Sequence, residues 1–115
     1  MKVTRLTYDP EGDILYITFG QPTPATGYQL SDQILLRVDP QTQQVGGLTL
    51  FNFSIHMHAN RDIPLPGLDE EPEVKAHLLQ ILRSAPVAHF LQLNEGKQEV
   101  SARLRHPSLQ EALVG

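Results

Sequence analysis

Apolar, β-branched and aromatic residues gather near the N-terminus in two short runs. Val3, Leu6 and Tyr8 mark a strand over 2–8, and Ile14, Leu15, Tyr16, Ile17 and Phe19 mark a second over 13–19. Asp9-Pro10-Glu11-Gly12-Asp13 lies between them, with Asp at the first position of a type I turn, Pro presetting φ at the second and Gly at the fourth. The pattern predicts an antiparallel hairpin. Residues 33–38 and 44–51 repeat it around Asp39-Pro40-Gln41-Thr42. An internal duplication and two independent uses of a common turn dipeptide are both compatible with that repeat. Gly46 and Gly47 inside the returning strand predict a bulge or a close backbone approach. Residues 21–27, with two prolines and a glycine, read as a loop feeding a short strand over 28–30.

Phe51, Phe53, Ile55 and Met57 then alternate with Asn52, Ser54, His56 and His58. A period of two predicts a strand running to about Met57; a turn and short helix after Phe53 is the competing reading. Pro64, Pro66 and Gly67 interrupt any regular element. Beyond them Asp69, Glu70, Glu71 and Pro72 precede Val74, Leu78, Ile81, Leu82 and Ala85 at helical spacing. This predicts a helix over 72–85, with Glu71 and Lys75 in the favourable order four residues apart. Residues 87–93 and 98–105 suggest a third hairpin around Asn94, Glu95, Gly96 and Lys97, with a helical continuation through His89 and Phe90 as the alternative. The Ser108-x-x-Glu111 capping box predicts a short C-terminal helix. The expected fold is α+β: one domain over 1–115, with an antiparallel sheet of Asp-Pro hairpins covered by the main helix and a C-terminal hairpin. Within it, 1–58 form a β unit, 59–71 a connector, and 72–115 the helix, hairpin and short C-terminal helix.

Composition narrows the function classes. Nine basic against thirteen acidic residues give a formal charge of −4, divided evenly between the halves, so a phosphate backbone meets net repulsion. Nucleic-acid binding is disfavoured. With no cysteine, the 115 residues have no disulfide, thiolate metal site or cysteine nucleophile. Lys2 and Arg5 interrupt the apolar run that a signal peptide needs, and no window approaches the ~18 apolar residues of a membrane span. A cytoplasmic protein without membrane association is expected.

The stretch Tyr8-Asp9-Pro10-Glu11-Gly12-Asp13-Ile14-Leu15-Tyr16-Ile17 resembles the opening signature, Tyr-Asp-x-Glu-x-Asp-x-Leu-Tyr-Ile, of a family of small bacterial proteins known as a domain of unknown function. Ile34-Leu35-Leu36-Arg37-Val38-Asp39 and Val45-Gly46-Gly47-Leu48-Thr49-Leu50 resemble its later elements, the doubled glycine being a departure. The resemblance spans about residues 7–54. It implies a small antiparallel β fold and, for some members, an antitoxin-like role beside a small basic protein; it implies no catalytic residues.

Two groups of residues could carry chemistry. Asp9, Glu11 and Asp13 form a carboxylate cluster suited to a divalent cation or acid/base work, or to bonding the turn's own amides. On a strand, His56 and His58 would share a face and could ligate a divalent metal, a third ligand coming from elsewhere. Asn60, Arg61 and Asp62 add to the polar stretch beside them. No nucleophile elbow or phosphate loop is present.

The apolar run from Ile14 to Ile17 and its echo at Ile34-Leu35-Leu36 suggest that both sheet faces are buried. A non-enzymatic interaction or structural module is therefore expected, paired with itself as a homodimer or with another protein. A small metal-dependent enzyme using His56 and His58, and an antitoxin-like partner of a small basic protein, are the alternatives.

Overall fold

The computed structural model describes residues 4–20, 24–59, 61–97 and 99–105. It is an α+β structure with two antiparallel sheets. The chain divides into two compact units, Met1–Phe53 and Ser54–Gly115.

The first unit is a five-stranded sheet of β1 (Thr4–Asp9), β2 (Ile14–Phe19), β3 (Thr26–Gln29), β4 (Ile34–Val38) and β5 (Val45–Phe51), in the order β1-β2-β5-β4-β3. Register follows the apolar alternation: Leu15 pairs with Leu50 and Ile17 with Leu48, and Leu48 with Leu36. One face therefore carries Leu15, Ile17, Phe19, Ile34, Leu36, Val38, Leu48 and Leu50, each at most 3% exposed. A one-residue slip would turn this whole set over, which is why the register is well specified.

Both Asp-Pro turns are built alike. The Asp9 carboxylate accepts the Glu11 amide at 3.1 Å, and the Asp39 carboxylate accepts the Gln41 amide at 2.8 Å. Asp13 (φ 55°) and Gln43 (φ 62°) close the loops in the left-handed region. Gly46 is the extra residue of a register shift, since Val38 pairs with Val45 while Arg37 pairs with Gly47.

After Phe51 the chain turns at Asn52 (φ 52°) and enters α1 (Phe53–Ala59). The predicted strand to Met57 is thus replaced by a helix. The alternation misleads because a helix buries positions four apart: Phe53 and Met57 are buried, whereas Ile55 is 62% exposed.

In the second unit, β6 (Ile63–Pro64), β7 (Leu91–Glu95) and β8 (Val100–Leu104) form a three-stranded sheet in the order β6-β8-β7. The short β6 lies in the expected connector. The main helix, α2 (Lys75–Arg83), is shorter than the 72–85 predicted and packs against β7. Pro66–Leu68 form a 3-10 turn ahead of it, and the backbone at Ser84 is already extended two residues before Pro86. The alternative reading at His89 also occurs, as a 3-10 turn over Val87–His89 ahead of β7. Arg83 donates to Glu95 at 3.0 Å and so ties α2 to the β7 end; Lys75 bonds Asp69 rather than Glu71. The predicted C-terminal helix lies outside the described residues. No helix among the described residues is long and apolar enough to cross a membrane.

Candidate functional site: the second face of the five-stranded sheet

The carboxylate cluster at the first turn is engaged in holding the turn. Asp9 caps the Glu11 amide, and Asp13 accepts a 2.8 Å hydrogen bond from the Tyr8 hydroxyl while its carbonyl accepts the Phe53 amide at 3.0 Å. Tyr8 stacks edge-on against Phe53, ring centroids 5.8 Å apart. The hydrogen bond to Asp13 is the main reason the Tyr8 phenol is held above its ordinary value; desolvation and the charges of Asp13 and Asp9 add to it. Glu11 is exposed at the apex.

His56 and His58 do not share a face. On α1, positions two apart are separated by about 200° around the axis; His56 is half-buried and His58 exposed. The convergence that a strand would have supplied is absent, and among the described residues no group of three or more His, Asp or Glu side chains gathers to hold a metal ion. Asp62 accepts a 3.1 Å bond from Arg103, Arg61 is exposed, and Asn60 lies outside the described residues. A groove of about 350 Å³ beside Asp62 is lined by Pro64, Asn94, Lys97, Glu99 and Ser101, charges of both signs with no convergent set.

The sheet's other face presents a different arrangement. Cross-strand pairing places Thr7, Tyr16, Thr49, Leu35 and Gln29 in one row, and Arg5, Thr18, Gly47, Arg37 and Gly27 in the next. Ile14 and Phe51 form a pair beyond Tyr16 and Thr49. Both faces of the central strands were expected to be buried, but Tyr16 is 38% exposed and Ile14, Leu35 and Phe51 are half-buried. An aromatic and aliphatic surface is therefore open to solvent.

Arg37 crosses this surface. A Cβ placed on Gly47 would lie 2.8 Å from Arg37 Cζ and Nε, so the guanidinium rests directly on the glycine backbone. Its Nη2 makes a long 3.5 Å contact to the Ile17 carbonyl, and its buried Nε has no hydrogen-bond partner. Sequence reasoning did not single out Arg37. The signal was Gly47, flagged for a close backbone approach without identifying what approaches.

These features define the class: an α+β protein with an antiparallel sheet carrying a partly open second face. Residues 5–54, 50 of the 115, match the model of a family described as protein of unknown function (DUF2283). That stretch covers the five-stranded sheet, so the first unit is similar to this family. No curated protein and no solved structure matches the chain.

Proposed function

We propose that the protein is a non-enzymatic protein-interaction module whose docking surface is the second face of the five-stranded sheet. One observation carries this reading: Ile14, Tyr16, Leu35 and Phe51 lie together on neighbouring strands and keep solvent-exposed area, while the opposite face of the same strands is closed. Apolar area grouped on one face favours association, since about 25 cal/mol is gained for each Å² removed from water. Two carboxylates of the acidic cluster support the reading too, because Asp9 and Asp13 hold their own turn.

The test is photo-crosslinking in the source cell, with a benzophenone amino acid at position 16 or 35 and, as control, at exposed Gln80 on α2. Polypeptide adducts are expected from positions 16 and 35 and not from 80. No adduct from either sheet position overturns the reading. Light scattering of the purified chain at micromolar concentration then decides whether the occupant is a second copy, by a doubled mass.

A further inference from the structure

The second face carries a local excess of positive charge. Its strand residues include Arg5 and Arg37, and the one acidic side chain in register with them, Asp9, is turned into the Glu11 amide at the end of the sheet. In a chain of net charge −4 this is a local inversion.

Arg37 is the more constrained of the two. A guanidinium stays protonated at any physiological pH and presents its donors as a planar fork. Nε is buried without a partner and Nη2 makes only a long 3.5 Å bond to the Ile17 carbonyl, so the described residues satisfy the half-buried guanidinium incompletely. The fork is also pre-placed. Gly47 lets it lie flat on the sheet, and β-sheet pairing on both sides fixes the strand beneath it. A fixed planar fork matches a carboxylate in bidentate geometry.

The neighbours narrow the source of that carboxylate. Tyr16 and Leu35 occupy the adjoining row, so a ligand engaging Arg37 also meets aromatic and aliphatic area. A polynucleotide would need more cations than Arg5 and Arg37. A second copy docked face to face would set one net positive face against another. An acidic side chain flanked by apolar residues satisfies both the charge and the surface.

Resting on the interaction-module reading, we infer that Arg37, laid over Gly47, is the anchor for a carboxylate in an acidic, apolar-flanked segment of a partner polypeptide. Half-buried Thr18, paired with Gly47 in the same row, adds a hydroxyl group beside the anchor. Gly47 acts as a positioning residue through Arg37.

The test uses the full chain labelled with ¹⁵N at arginine and titrated with the blocked peptide Leu-Glu-Leu-Glu-Leu. The Arg37 Nε–H resonance is assigned by its loss in Arg37→Gln. A saturable displacement of that resonance is expected, with binding weakened about tenfold or more when glutamine replaces both glutamates. Arg37→Lys keeps the charge but loses the fork; it is expected to bind the acidic peptide about tenfold more weakly with an unchanged melting temperature. No saturable displacement, equal binding of the glutamine peptide, or the same displacement by inorganic phosphate at equal concentration overturns the inference. So does a dimer by light scattering that Arg37→Gln dissolves, because the occupant is then a second copy. Crosslinking from position 16 that persists undiminished in Arg37→Lys removes Arg37 as the anchor while leaving the interaction module standing.

Discussion

The Tyr8 hydroxyl donates a 2.8 Å hydrogen bond to the Asp13 carboxylate, joining the end of β1 to the left-handed residue that closes the Asp-Pro loop after it. Because the neutral phenol is the donor, folding favours it and raises its ionisation above the ordinary 10.0. A raised folded-state value means that the contribution is complete below pH ~10 and is lost as pH rises through the folded value. Spectrophotometric titration should show one tyrosine step in the wild type that ionises above pH ~10, disappears in Tyr8→Phe and moves down in Asp13→Ala. An unmoved step in Asp13→Ala would contradict the assignment.

Gln43 occupies the left-handed position of the second turn at φ 62°. Gln43→Gly removes the Cβ penalty together with the exposed Gln43 Nε2–Pro40 carbonyl hydrogen bond, so the unfolding free energy is expected to rise by only about 0.5 kcal/mol, whereas Gln43→Val should lower it. The same glycine at Asp13 also deletes the acceptor for Tyr8, so no gain is expected there. Urea denaturation of the three variants checks the contrast.

Gly47 and Arg37 should be strongly coupled. Gly47→Ala forces the guanidinium off the backbone and is expected to destabilise by about 1–3 kcal/mol. In an Arg37→Ala background the atoms nearest the methyl are gone, and the loss should shrink by about 1 kcal/mol or more. A double-mutant cycle measured by urea unfolding reads this directly; additive effects would mean that the two residues do not touch.

The helix after β5 separates two neighbouring apolar residues. Phe53, fully buried, should lose about 3–5 kcal/mol on substitution by alanine, while Ile55→Ala should stay within about 0.5 kcal/mol. A continued strand would have placed both on one face and made both changes costly.

Glu95 accepts from Arg83, and that hydrogen bond holds its carboxyl below the ordinary 4.5. A depressed value gives stability that is present above pH ~4.5 and fades as pH falls through the folded value. The pair is exposed, so the effect is small. Thermal melts of the wild type and Glu95→Gln should differ slightly at neutral pH and converge in acid; parallel curves would exclude the contribution.

The strands of the first unit were legible because their physics is local: β-branched and aromatic runs bounded by Asp-Pro turns specify hairpins within a few residues. The β5 to α1 junction was not, since four alternating apolar residues fit either period and only the left-handed Asn52 decides between them. Ile63 and Pro64 form too short a strand to leave a pattern. The open face was not legible either: the unbroken apolar runs at Ile14–Ile17 and Ile34–Leu36 read as burial on both sides, and the position of Arg37 depends on a cross-strand neighbour without a side chain. No linear pattern records such a contact.

The two turns, thirty residues apart, have one further consequence. Offsetting the first hairpin by that interval, with one more residue after the Gly46 bulge, exchanges the pair Tyr16 and Thr49 with Gly47 and Thr18, and returns Ile17 and Leu48 to themselves. The sheet thus has an approximate dyad through the Ile17–Leu48 pair. Arg37 breaks it, because its dyad mate is Thr7. Arg5 breaks it likewise, its mate being Leu35, so the β1 edge presents a cation beside Thr7 where the β4 edge presents a cation beside Leu35, and the two edges of the face are not interchangeable.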